Sequence, residues 1–175
     1  MITEQTYPLM MSYQGWERYQ GNLVKMITPL TPKHLALPAG HRSWSIGMLI
    51  QHMIADRVWW FQVWMGEGDP VLAPIAHWDP NDAEGENRPL TSPELTSALE
   101  STWQMIETAL SRWTAADLAQ IFSPPSVMSA EEQKAFGPWT RQEIIWHVLE
   151  HEITHGGELS QVLGGLGLDG VYGKR

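Results

Sequence analysis

Trp139-Thr140-Arg141-Gln142-Glu143-Ile144-Ile145-Trp146-His147-Val148-Leu149-Glu150-His151-Glu152-Ile153-Thr154-His155-Gly156-Gly157-Glu158-Leu159 is the stretch whose periodicity decides the fold. Pro138 precedes it, where a missing N–H costs nothing, and Glu143 favours the first turns through its charge. Apolar residues at 144, 148, 159 and 162 recur in steps of three and four, and the same stripe passes through His151 and His155. The spacing predicts a helix. Residues four apart on a helix stand one above the other with ~6 Å of rise between them, so the two imidazoles can close on one ion. On a face expected to be interior, an unpaired imidazole is costly. A lone histidine there reads as a hydrogen-bonded core residue. A pair four apart, with His147 one turn earlier, reads as a metal site.

Upstream, residues 43 to about 66 read as a second helix, with Ser43 or Ser45 as its N-cap. Leu49, His52, Asp56, Trp59 and Val63 share one stripe, so a histidine again takes a core slot. His52 is the natural third ligand for a pair that needs one. Asp56, one turn later, can accept the second ring N–H of a ligating histidine and fix its tautomer. Residues 5 to about 28 give a first helix, ended by Pro29 and Pro32, and residues 91 to about 113 a third, capped by Thr91 or Ser92.

Between the first two helices, residues 31–44 read as a connection in which His34 and His41 are solvated, His41 being a candidate for the mouth of the site. Residues 67 to about 90 are rich in Gly, Pro, Asp and Asn, with His77-Trp78 as an anchor or a pocket cover. That length fits a crossover that lets helices two and three run parallel. Residues 114–118 read as a capped turn, 123–126 as loop and 129–136 as a short helix. The fourth long helix runs to about Gly164. With no strand-like alternation, the expectation is an all-α chain: one domain over residues 1–175, a four-helix bundle with a long crossover between helices two and three.

Composition narrows the function. The 175 residues contain no cysteine, which excludes disulfides, thiolate metal sites and a cysteine nucleophile. A net charge of −9 without a basic cluster argues against nucleic acid as a partner. No apolar run approaches the ~18 residues that cross a bilayer, so no membrane association is expected. The first residues lack a basic segment followed by an apolar run, which points to a cytoplasmic protein. Ten tryptophans and nine methionines are expected mostly in the core, with some lining a pocket.

Three neutral imidazoles suit Zn²⁺, Ni²⁺, Fe²⁺ or Cu²⁺ rather than Mg²⁺ or Ca²⁺. Three protein ligands leave a position for water or substrate, the pattern of a catalytic rather than a structural site. His151-Glu152-Ile153-Thr154-His155 also matches H-E-x-x-H, the zinc-protease helix with Glu as general base. The longer protease form fails, because Glu158 stands where Gly is needed and no third histidine follows. Glu152 stays a candidate base or supporting group, with a solvated helix residue as the alternative.

Two segments, Ser43-Trp44-Ser45-Ile46-Gly47-Met48-Leu49-Ile50-Gln51-His52 and the stretch from Trp139 to Leu159, make the chain resemble the DinB/YfiT-like superfamily of bacterial metal-binding four-helix bundles. That family often reads WHVLNHETHHRGQI in the second segment. The resemblance implies His52, His151 and His155 as metal ligands. This chain departs at Thr154, Gly156 and Glu158, where His, Arg and Gln are frequent, so the substrate contacts of the usual Arg or Gln do not carry over from the resemblance. His147 is expected at the lip of the pocket, as proton shuttle or substrate contact. Members with assigned activity are thiol-dependent transferases, which bind a low-molecular-weight thiol as thiolate at zinc or nickel. The resemblance therefore implies a metal-dependent thiol S-transferase acting on a small electrophile, with Zn²⁺ or Ni²⁺ as cofactor and a homodimer as assembly. The alternatives are a non-catalytic metal- or ligand-binding bundle of the stress response and a metal-dependent hydrolase.

Overall fold

A computed structural model describes residues 7–40, 43–82, 85 and 88–173; His41 and the first two residues of the expected first helix lie outside them. The chain is predominantly helical. Its helices are α1 (Gln14–Ile27), α2 (Pro32–Leu35), α3 (Ile46–Val58), α4 (Ser92–Arg112), α5 (Ala130–Phe136) and α6 (Arg141–Gly165). Four of the starts are set by a hydroxyl residue followed three positions on by a carboxylate. Thr91 with Glu94, Ser129 with Glu132 and Thr140 with Glu143 open α4, α5 and α6, and Thr114 with Asp117 opens a 3₁₀ turn at Ala115–Ala119. In each pair the carboxylate accepts the backbone N–H of the capping residue, satisfying a donor the helix leaves free.

Several expectations are corrected. The first helix begins only at Gln14, after a short 3₁₀ turn at Leu9–Met11. The second expected helix is α-helical only to Val58 and continues as a π-helix over Trp59–Trp64. The stretch from 67 to 90 carries a nine-residue 3₁₀ helix, Pro70–Trp78, packed against α3. Two short strands also exist: β1 (Ile121–Phe122) pairs antiparallel with β2 (Trp139–Thr140), so the quoted stretch starts as strand and becomes helix at Arg141. The connection after α1 contains α2, whose Thr31 cap is completed by the His34 ring nitrogen.

The apolar interior is divided. One cluster contains Leu23 and Ile27 of α1, Leu49, Ile50 and Ile54 of α3, Leu95 and Leu99 of α4, and Leu159 and Leu163 of α6. The other contains Trp16 of α1, Val58 of α3, Ile106 and Leu110 of α4, and Ile144 and Val148 of α6, with Trp60, Phe61 and Trp64 of the π segment. Between them lies a polar layer to which all four long helices contribute. Arg57 and Glu152 are fully buried and paired, Arg57 Nε donating to Glu152 Oε1 at 2.5 Å. Arg57 also donates to the Leu99 carbonyl and Thr102 Oγ1 of α4 and to Gln20 Oε1 of α1. Trp16 Nε1 donates to the second Glu152 oxygen at 2.9 Å, and the Tyr19 hydroxyl donates to the Glu152 carbonyl. Every charged atom of the layer is therefore met, as burial requires.

Among the described residues no helix is long and apolar enough to cross a membrane.

Candidate metal centre

Where α3 faces α6, three imidazoles meet. His52 comes from α3, and His151 and His155 from successive turns of α6. One nitrogen of each lies within 4.8 Å of the others. The ring centroids are 4.4 Å apart for His151–His155, 4.6 Å for His52–His151 and 5.1 Å for His52–His155. The Nε2 atoms of His52 and His151 face each other 2.8 Å apart.

The Nδ1 atoms face outward, and each meets a carboxylate. His52 Nδ1 is 2.7 Å from Asp79 Oδ2, and His155 Nδ1 is 2.7 Å from Glu158 Oε2. His151 Nδ1 is 3.3 Å from Asp56 Oδ2 but out of hydrogen-bond alignment, so both atoms are buried without a hydrogen-bond partner. A carboxylate on Nδ1 holds the proton there and leaves the Nε2 lone pair for a metal. At 2.8 Å the two Nε2 atoms are joined either by the Nε2–H of one neutral ring or by a cation bound between them. Burial and then the neighbouring histidines push the His151 pKa down to about 2, so the ring stays neutral, the form that ligates a metal. With Zn–N bonds of ~2.0–2.1 Å in a tetrahedral site, ligand nitrogens stand ~3.3 Å apart, a small opening from the distance seen. The donor set fits a transition metal.

Asp79 reaches the site from the long connection. Its Oδ1 accepts the Asn81 N–H at 2.8 Å, which turns Oδ2 toward His52. Burial raises the Asp79 pKa, but hydrogen bonds from His52 and Asn81 outweigh it and hold the carboxyl below its usual range. Asp56 is the opposite case: burial pushes its pKa well up, against the lowering effect of its bond from Trp60 Nε1 at 3.0 Å.

The structure places the expected site residues unevenly. His52, His151 and His155 come together; Asp56 is present, but against His151 rather than His52, one turn away on its own helix. His147 stands beside the group. It is about a third exposed, its ring lies 6.0 Å from His151, and it is backed by Trp60 at 4.6 Å and Trp139 at 5.5 Å. Burial lowers its pKa. Glu152, expected as a base, does not join the site: it points into the core, with Arg57 and Trp16 on its two oxygens. The apolar stripe predicts His151 inside and Glu152 outside. The buried line of α6 instead runs Ile144, Val148, Glu152, His155, Leu159, Leu163, and His151 sits at its edge. Sequence reasoning does not find Asp79 or Glu158. Glu158 is within reach of helical spacing, three residues after His155, whereas Asp79 lies 27 residues from His52 with no local signal.

The fold and site define a mostly helical chain whose long helices gather three histidines that could hold a metal ion. A profile of the DinB superfamily matches residues 16–159, and the chain belongs to that superfamily. A DinB-like protein from Bacillus cereus ATCC 10987 has a similar structure, with a TM-score of 0.62 at 20% identity, covering 94% of this chain and 95% of that one. At that identity the likeness speaks for the fold. No curated protein matches.

Proposed function

We propose that this chain is a metal-dependent enzyme, a thiol S-transferase acting on a small electrophile, with His52, His151 and His155 holding Zn²⁺ or Ni²⁺. One observation carries the reading: three imidazoles converge while a carboxylate stands at each outward nitrogen. Such carboxylates orient a ligand and raise its basicity. His147 does not join the group among the described residues, which supports a metal with a free coordination position rather than a closed structural site. The architecture is read as a four-helix bundle with a crossover. In support, α3 and α4 each run from the first apolar cluster to the second, while α1 and α6 run the other way.

When bound, the metal supplies a lowered pKa for a thiol or water and polarises an oxygen. Asp79 and Glu158 keep the ring protons of His52 and His155 on their outward nitrogens, and Asp56 stands 3.3 Å from that of His151. His147, at the rim, receives the proton the thiol loses as its sulfur bonds to the electrophilic carbon and the leaving group departs with its electron pair.

The test begins with elemental mass spectrometry on untagged protein prepared without chelator, beside His151→Ala. About one zinc or nickel per chain, lost in the variant, is expected for one three-histidine site. No metal in either makes these histidines ordinary core residues. Loaded protein is then assayed with a panel of thiols and electrophiles against His52→Ala. Turnover that needs no thiol makes the protein a hydrolase, and none above the variant makes it a binding bundle.

A further inference from the structure

The buried pair Arg57–Glu152 is next in sequence to the site on both helices. Arg57 follows Asp56, the carboxylate facing His151, and Glu152 follows His151 itself. The pair thus joins α3 to α6 at the turn where His52 must meet His151 and His155. A metal tolerates ligand distances within about 0.2 Å of ideal, and here the ligands sit on two separate helices. Apolar packing is a poor instrument for that: a helix can slide or turn on an apolar face with side chains repacking. A guanidinium fork cannot, because its donors are fixed in a plane. Arg57 uses that fork on three helices at once, reaching Glu152, the Leu99 carbonyl and Gln20. Glu152 is held in turn by Trp16 at its carboxylate and Tyr19 at its carbonyl. A buried ion pair is weak evidence for stability, since apolar replacements often match it, whereas a role in fixing register is its best-attested use.

We infer that Arg57 and Glu152 are positioning residues for the metal: their buried ion pair pins the register of α3 against α6 so that the three imidazoles converge. The inference rests on the metal-binding reading and adds the groups that make the site accurate. Neither residue belongs to the group of three histidines that would hold the ion.

The test compares unmodified protein with Arg57→Met/Glu152→Met, which replaces the charges by flexible apolar chains of similar length. Three quantities are measured: the urea midpoint of metal-free protein, zinc affinity by competition with a chromophoric chelator, and the visible spectrum of the Co²⁺ form. The expected result is a midpoint at or above that of the unmodified protein, a zinc affinity at least roughly tenfold weaker, as for loss of a group that orients a ligand, and altered cobalt bands. Equal affinity and an unchanged spectrum would overturn the inference and leave the metal reading intact. Unmodified protein that binds no zinc overturns both. Should the double variant fail to fold, Trp16→Phe removes one donor to Glu152 and leaves the pair in place. A zinc affinity reduced severalfold with the fold retained then supports the pin, and an unchanged affinity counts against it.

Discussion

Gly156 shows how little room single positions leave. A Cβ there would stand 1.9 Å from the Tyr19 hydroxyl and 3.1 Å from its ring carbon, at the point where that hydroxyl reaches the Glu152 carbonyl. Gly156→Ala is expected to destabilise the protein by about 1–3 kcal/mol, as overpacking does. Tyr19→Phe in the same chain should recover part of the loss in a urea titration, and no recovery would place the strain elsewhere. Asp79 makes a different case, since it acts on a ligand and not on packing. Asp79→Asn should weaken zinc binding by roughly 10–100-fold, the usual effect of losing such a partner, with little change in metal-free stability. Competition titration reads the first and urea the second. Of these residues the sequence declares His151 and His155 through their spacing, and His52 through its place in a similar pattern. The roles of Asp79 and Glu152 are not legible there. Asp79 acts through a long connection, and Glu152 reads as a solvated charge because its partner, Arg57, lies 95 residues away.

At the scale of elements, starts are easier to read than faces. Thr91, Ser129 and Thr140 cap where their chemistry says they should, because a hydroxyl three residues before a carboxylate is a local signal. The face of α3 is harder: apolar residues lie on every side of it and ten of its thirteen residues are buried, Gln51 and Arg57 among them, so periodicity does not separate the buried line through Arg57 from the edge carrying His52 and Asp56. Nor does periodicity announce the π segment that carries Trp60 to Asp56 and His147. The caps carry a pH dependence. The Glu94 carboxylate, bonded to the Thr91 N–H and hydroxyl and to Arg88, has its pKa lowered from 4.5 to about 2, and Asp117, Glu132 and Glu143 shift the same way through their own caps. A group with a depressed folded pKa contributes stability above its unfolded pKa and loses it as pH falls through the folded one. Stability should therefore decline from about pH 4.5 toward pH 2. Glu94→Gln should flatten part of that decline in urea midpoints measured across the range, and an unchanged slope would show that this cap does not couple to folding.

For the whole molecule, a ligand that binds the folded state raises stability by mass action. Zinc at a hundred times its dissociation constant should add about 2.7 kcal/mol, or roughly 5–10 °C in melting temperature for a chain of this size. His155→Ala should abolish the increment. A variant that keeps it would mean zinc is held elsewhere. The mostly helical class is legible because the long stretches carry helical spacing, while the polar layer across the interior is not, since it is assembled from single residues of four helices. The placement of the tryptophans has an optical consequence. Trp44 lies with its ring 4.8 Å from that of His52, and Trp60 lies 4.6 Å from His147. Indole emission beside an open-shell ion is quenched, whereas a closed-shell ion leaves it bright. The chain thus carries its own reporter at the histidine cluster: Ni²⁺ or Cu²⁺ should darken its fluorescence on arrival and Zn²⁺ should not, so the identity of the metal can be read from the light of the unlabelled protein.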